Sequence, residues 1–327
     1  MIVDNHNRTI NYLRIAVTDR CNLRCNYCMP EQGIKWAAND KLLSIEELCL
    51  LAEMLVNMGI DKIRITGGEP FVRKDIMILM RHLASLKGLK EISVTTNATL
   101  IGPYIQELKQ LGILKVNVSM DAIERATFEK ITRRKQYDTV HKNLTHLISE
   151  GFDVKINCIV LENQNEQEII PMVELTRHLN VAVRFLEEMP FNGGTKNFQS
   201  ITWDYKKILS HITAVYPDIE KLEDPFSSTS LNYQVKGFEG TIGLIPSFTR
   251  TFCGTCNRLR ITATGDVVTC LYAKASANIR EILRSQNQRS SIEALILNAV
   301  SKKAKTGFEA QEKHKTVFSN SMTSIGG

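Results

Sequence analysis

The sequence predicts an α/β fold built as a partial, open TIM-like (β/α)6 barrel, with a smaller C-terminal β-plus-α region covering the open side. Three observations predict it. Six apolar β-runs (YLRIAV, KIRIT, EISVTT, KVNVSM, VKINCIV and VAVRFL) alternate with segments of helical apolar spacing, as parallel βα units require. Their number stops two short of the eight that close a barrel. Polar residues and glycines follow the apolar runs, at the strand ends where α/β proteins gather their chemistry. A flat doubly wound sheet is the alternative.

In chain order, the run from Tyr12 to Val17 feeds a cysteine-rich loop, and a helix then opens at Ser44 with Glu47 three residues later, a capping-box pattern. KIRIT leads into Thr66-Gly67-Gly68-Glu69-Pro70 and a helix from about Asp75. EISVTT ends at Thr95-Thr96-Asn97, ahead of a helix from about Ile101. KVNVSM ends at Ser119-Met120-Asp121, and a helix follows Asp138. VKINCIV carries Asn157, a helix covers about Glu168 to Leu179, and VAVRFL runs on to Glu187 through Met189. Past Asp218, KLEDPFSSTSLNYQ reads as a linker or substrate-side loop. GTIGLIPS, NRLRITATGDVVTCLY, two short amphipathic segments and the tail SNSMTSIGG complete the smaller region. The expected division is residues 1–220 and 221–327.

With 43% hydrophobic and 23% charged residues the chain reads as globular. No apolar run approaches the roughly 18–20 residues that span a bilayer. The start, MIVDNHNRT, shows no secretory pattern. The expectation is a cytoplasmic protein whose eight cysteines are metal ligands and free thiols rather than disulfides. A net charge of +6, spread along the chain, suits a polyanionic substrate without calling for nucleic acid. His141 and His146 read as solvated surface, and Cys49 and Cys158 as small core residues.

Cys21, Cys25 and Cys28 form C-x3-C-x2-C directly after the first strand. A cluster used only for electron transfer takes four cysteines. Three thiolates therefore leave one iron open to a small molecule. Cys253, Cys256 and Cys270 form C-x2-C-x13-C, again one thiolate short; a structural zinc site is the alternative reading there. Arg258 and Arg260 alternate after Cys256, so on a strand both face one way, and arginine forks match phosphate oxygens. Lys62, Arg64 and Lys155 alternate with apolar residues on predicted strands, a pattern that suits an inward face around an anion, with surface lysine the alternative for Lys62. There is no G-x4-GK[ST] loop, so phosphate recognition would rest on side chains.

VTDRCNLRCNYCMP resembles the cluster loop of radical S-adenosylmethionine (SAM) enzymes, where SAM chelates the open iron through its amino and carboxylate groups. Tyr27 then matches an aromatic beside the adenine, and Gly67-Gly68-Glu69-Pro70 the methionyl-amine site. With both cysteine sets, RITGGEP, NVSMDA, RFLEEMPF, CNRLRITATG and the terminal Gly326-Gly327, the chain resembles the GTP 3′,8-cyclase family of molybdenum cofactor biosynthesis from about Leu13 to its last residue. The resemblance implies two [4Fe–4S] clusters, with SAM on the first and the guanine of GTP on the second. It implies GTP contacts from Arg14, Lys62, Arg64, Thr95, Lys155, Arg258 and Arg260, and SAM contacts from Tyr27, Gly68, Ser119 and Met189. Catalytic roles would fall to Arg14 and to Gly326 and Gly327, which would insert into the cavity. The implied reaction is radical cyclisation of GTP to 3′,8-cyclo-7,8-dihydro-GTP. It needs an external electron donor and hands its product to a cyclic pyranopterin monophosphate synthase; a monomer or homodimer is expected. Three departures stand out: Ala98 where the family has glycine, Glu188 where it has an aromatic, and a tail lacking the usual arginine-proline. A radical SAM peptide-maturation enzyme and a non-catalytic metal- or nucleotide-binding protein are the rival readings.

Overall fold

The computed structural model describes residues 1–193, 198, 200–285, 288–314 and 321–326. The barrel runs β1 (Tyr12–Ala16), α1 (Ile45–Asn57), β2 (Lys62–Thr66), α2 (Ile76–Ser85), β3 (Glu91–Thr96), α3 (Ile105–Gln110), β4 (Lys115–Ser119), α4 (Arg125–Thr132), α5 (Tyr137–Ser149), β5 (Asp153–Val160), α6 (Ile169–Glu174) and β6 (Ala182–Glu187). There follow α7 (Tyr205–Val215), β7 (Ile219–Lys221), β8 (Leu231–Val235), β9 (Thr241–Ile245), β10 (Arg258–Ile261), β11 (Asp266–Val268), β12 (Ala277–Asn278), α8 (Arg280–Leu283), α9 (Gln288–Ser301), α10 (Gly307–His314) and α11 (Met322–Ile325).

The twelve strands of the described residues share one sheet, ordered β12-β11-β10-β1-β2-β3-β4-β5-β6-β9-β8-β7. β1 to β6 are parallel neighbours, as the alternating pattern requires. The C-terminal region extends both edges: β10 pairs parallel with β1, and β9 with β6. Beyond them the sheet turns antiparallel, through β11 and β12 on one side and β8 and β7 on the other. β9 and β10 do not pair, so the barrel stays open.

The strands' outer faces bear Leu13, Ile15, Ile63, Ile65, Val116 and Phe185, all buried in one core with the helices. Since side chains alternate with period two, every intervening residue points into the barrel. Those residues include Arg14, Arg64, Asn117, Asn157 and Arg184, so the interior of this barrel is polar. That inversion leaves a functional cavity where a closed barrel has packed apolar layers.

α1 starts with the expected capping box: Glu47 N–H donates to Ser44 Oγ at 3.1 Å, and Ser44 N–H to Glu47 Oε2 at 2.7 Å. The segment expected to be a loop or linker after Asp218 instead contributes β7 and the start of β8. Asp224 closes that hairpin, accepting from the backbone and side chain of Asn232 and pairing with Lys221. α4 was not foreseen, because its N-cap is Glu124, which accepts from Ala126 N–H and Thr127 N–H, and glutamate is not among the favoured caps. Among the described residues no helix is long and apolar enough to cross a membrane.

Candidate functional site

The two cysteine sets lie at opposite ends of one pair of strands. Cys21, Cys25 and Cys28 follow the C-terminal end of β1, whereas Cys253 and Cys256 precede the N-terminal end of β10, which runs parallel to β1 with Tyr12 opposite Arg258. Cys270 follows β11, which returns antiparallel from β10, so it comes back to the same end as Cys256. Buried Lys303 ties that end together, donating to the carbonyls of Arg258 (3.0 Å) and Thr269. The first loop is fixed from outside by Arg24 N–H and Asn26 N–H, each 3.0 Å from carbonyls at the end of α4. All eight cysteines are free thiols.

A cavity of about 300 Å³, within the usual range of ligand sites, joins the two ends, and all six of these cysteines line it. Burial pushes the Cys21 thiol up to about 12 and raises Cys25 and Cys28. At the other end burial raises Cys253 and Cys270, but Lys303 and Arg258 overcome it at Cys256 and pull that thiol down to about 7.

Between the sets the wall is cationic. Arg14, Arg64, Arg184, Arg258 and Arg260 all line the cavity. Burial, then neighbouring Arg260, holds Arg14 well below the usual guanidinium range. Arg184 and Arg260 are each held down to about 10, by burial and then by Arg64 and Arg258 respectively. Several buried polar atoms here have no hydrogen-bond partner among the described residues: Arg14 Nε, Arg184 Nε, Thr95 Oγ1, Asn117 Nδ2 and Asn157 Oδ1. Each such group costs on the order of 1–3 kcal/mol. Mutually repelling arginines with unmet donors are the complement of a polyanion.

The donor sets fit clusters by their chemistry: each offers three thiols to one cavity, one short of the four that a cluster used only for electron transfer takes.

The structure brings Arg14, Arg64, Thr95, Arg258 and Arg260 to the cavity wall together with Tyr27, Gly67, Gly68, Ser119 and Met189. Lys62 lies off the wall, paired with Glu91 at 2.5 Å and 4.8 Å from the Tyr12 ring centroid. Lys155 is likewise off it, paired with Asp153 at 2.5 Å. Glu69 sits behind the wall, fully buried, accepting from Phe71 N–H, Thr96 Oγ1–H and Asn97 N–H; burial raises its pKa to about 7. The two glycines before it let β2 exit against the cysteine loop. A Cβ on Gly68 would stand 2.2 Å from Arg20 O and one on Gly67 2.5 Å from Thr18 O. That contact carries hydrogen bonds from Gly68 N–H to Thr18 O and from Glu69 N–H to Arg20 O.

The tail reaches the same place. Met322 and Thr323 line the cavity, and Ser321 Oγ is 3.5 Å from Cys28 Sγ. Gly326 ends α11 at φ 82°, with no room for a Cβ beside Ala16. Its carbonyl accepts from Arg260 Nη1 at 2.8 Å. Gly327 lies outside the described residues. Of the departures, Ala98 takes φ 60°, a left-handed conformation that glycine adopts more easily, and Glu188 lines the cavity.

Sequence reasoning missed Arg184 and Asn117, and placed Asn157 and Asp121 at the site-bearing strand ends without giving either a role. Arg184 alternates with Val183 and Phe185 as Arg64 does with Ile63 and Ile65, so the same signal was present. Asp121 accepts from Tyr27 Oη–H at 2.8 Å and so orients the ring at the cavity; burial raises its pKa to about 6.

Residues 15–176 match the Radical SAM superfamily and residues 181–309 match Molybdenum Cofactor Synthesis C. The chain is 39% identical to GTP 3′,8-cyclase of Peptoclostridium acidaminophilum, over 93% of this chain and 92% of that protein. It is also 39% identical to the mitochondrial GTP 3′,8-cyclase of Arabidopsis thaliana, over 93% of this chain and 78% of the relative. Human molybdenum cofactor biosynthesis protein 1 is 39% identical over 98% of this chain, which spans 49% of that protein, about half the length of such animal relatives. In fold the chain is similar to Streptococcus suis SuiB bound to S-adenosylmethionine, with TM-score 0.62, 14% identity, and coverage of 88% of this chain and 68% of that one.

Proposed function

The chain belongs to the GTP 3′,8-cyclase family of radical SAM proteins, and from that premise we propose that it cyclises GTP to 3′,8-cyclo-7,8-dihydro-GTP, the first step of molybdenum cofactor biosynthesis. One observation carries the reading: a cavity joins two three-cysteine sets across a wall of five arginines, of which Arg14 and Arg184 have unmet donors among the described residues. Cys21, Cys25 and Cys28 would hold a [4Fe–4S] cluster with SAM on its open iron, and Cys253, Cys256 and Cys270 a second with guanine on its open iron. When bound, reduced cluster and SAM supply an oxidant strong enough to take hydrogen from an unactivated C–H bond.

The chain's own residues position the reactants. Arg14, Arg64, Arg184, Arg258 and Arg260 take up triphosphate charge, their forks matched to phosphate oxygens. GTP binding relieves the repulsion among them, so the ligand gains what the empty cavity forgoes. Tyr27, held by Asp121, faces the adenine, and Ser119, Met189 and the backbone of Gly67 and Gly68 line the rest of the SAM site. Gly326, whose carbonyl accepts from Arg260, holds the tail beside the arginine wall. Lys62 and Lys155 would reach GTP only by exchanging their carboxylate partners for phosphate. An external one-electron donor, a downstream pterin-forming enzyme and a cytoplasmic setting complete the proposal.

The test is incubation of anaerobically reconstituted protein with SAM, dithionite and GTP, with products resolved by liquid chromatography and identified by tandem mass spectrometry. Cyclised GTP is expected together with methionine and 5′-deoxyadenosine. Cleavage of SAM with no GTP-derived product would refute the substrate assignment.

A further inference from the structure

Arg250 is held in a way that the residues around it do not explain. It is only 5% exposed, yet its backbone takes φ 56°, a left-handed conformation that non-glycine residues adopt where their surroundings force it. The Tyr272 ring centroid lies 3.5 Å from its Cζ, and the Phe308 centroid 4.3 Å. Stacking of this kind serves the guanidinium face but leaves its in-plane N–H groups to find acceptors elsewhere. Nη2 donates to Gln311 Oε1 at 2.7 Å. Nε and Nη1, both buried, have no acceptor among the described residues. A buried cation with two empty donors on a strained backbone is destabilising unless an anion completes it.

The local geometry identifies that anion. Arg250 lines the cavity with Cys253, whose N–H lies 3.4 Å from the Arg250 carbonyl. Gly307 separates the two side chains. A Cβ there would stand 2.8 Å from Arg250 Cδ and 3.6 Å from Cys253 Sγ, so both border the same point. The five arginines of the nucleotide wall lie on barrel strands, whereas Arg250 sits on the turn that delivers the second cysteine set. A cubane on three thiolates is anionic, and nearby charge and hydrogen bonds to its sulfurs set its potential. Resting on the reading of Cys253, Cys256 and Cys270 as cluster ligands, we infer that Arg250 is a cationic partner of that second cluster beside Lys303 and Arg258, directing Nε–H and Nη1–H at its sulfur and raising its reduction potential. The first set is flanked differently: Asn97 links Cys21 Sγ, at 3.7 Å, to the buried Glu69 carboxylate.

EPR-monitored redox titration of the anaerobically reconstituted full chain tests this, with Cys253→Ser used to assign the second signal. In Arg250→Met the reduced-to-oxidised ratio of the second cluster, read at the parent midpoint, should fall about tenfold, a shift of about 59 mV for one electron. Arg250→Lys, which keeps charge but not the fork, should shift less, and the first cluster should not move in either variant. Selective loss of second-set iron in Arg250→Met would also support the pairing. An unchanged second potential in both variants at full iron content overturns the proposal alone. Equal loss of both clusters in both variants also overturns it, by making Arg250 a residue of the fold. Zinc at full stoichiometry in the parent's second set overturns the cluster reading and this proposal with it.

Discussion

Replacing Arg260 with methionine separates two opposing effects of one buried charge. Without nucleotide the charge is destabilising: burial and then Arg258 hold its pKa down to about 10. At about 1.4 kcal/mol per pH unit, that depression from the usual range above 12 corresponds to roughly 3 kcal/mol. Against this stands the 2.8 Å hydrogen bond from Nη1 to the Gly326 carbonyl, whose loss costs about 1–2 kcal/mol. Methionine fills most of the same volume with an unbranched chain. The variant should therefore be more stable than the parent by roughly 1–2 kcal/mol when no nucleotide is present, a rise in Tm of about 2–4 °C for a chain this long. With GTP the sign reverses. A lost charge-assisted contact costs about 1.5–3 kcal/mol, which weakens binding roughly 10- to 100-fold. Thermal unfolding with and without GTP, together with calorimetric titration of GTP and of SAM, reads both effects; SAM affinity should hold. A variant that melts below the parent and binds GTP with parent affinity would refute the reasoning and leave Arg260 as an anchor for the tail.

Deleting Gly326 and Gly327 should leave both clusters and SAM binding intact but sharply reduce cyclisation, measured as iron content beside product yield; parent-level turnover would make the tail dispensable. Replacing Cys21, Cys25 and Cys28 together should leave about half the iron of roughly eight per chain and abolish SAM cleavage, by iron assay and detection of 5′-deoxyadenosine. Glu69→Gln tests the buried carboxyl. Because its folded pKa is raised to about 7, above an unfolded value of about 4.3, its contribution is full at low pH and is lost as pH rises towards and through 7. The parent should lose up to roughly 3 kcal/mol relative to Glu69→Gln over about pH 4.5 to 7, read from urea unfolding; a difference independent of pH would contradict the assignment.

Much of this molecule is legible in its sequence. The six barrel strands follow from period-two alternation, and the cysteine spacing marks both ends of the cavity. What lay hidden depended on pairing between distant segments. Nothing local announces that β9 and β10 extend the two edges of the barrel, because a four- or five-residue strand carries no register of its own. The hairpin of β7 and β8 was masked by polar residues that an edge strand tolerates on its open side. Lys62 and Lys155 share the alternation that marked Arg64, but carboxylates on the same face, Glu91 and Asp153, hold them in ion pairs off the cavity wall. The GGEP glycines illustrate a subtler limit. The resemblance matches them to the methionyl-amine site, whereas the closest neighbours of their missing Cβ atoms are the Thr18 and Arg20 carbonyls of the cysteine loop.

The most direct measurement is liquid chromatography with tandem mass spectrometry of the nucleotide formed from GTP by the anaerobically reconstituted chain with SAM and dithionite, compared with the variant lacking Cys253, Cys256 and Cys270. An isomer shares the mass of GTP but not its retention or fragmentation. The account predicts a product isomeric with GTP, 3′,8-cyclo-7,8-dihydro-GTP, from the parent, and none from the variant even though the variant retains its first cluster. Unmodified GTP from a parent loaded with both clusters, or equal cyclisation by the variant, would contradict it.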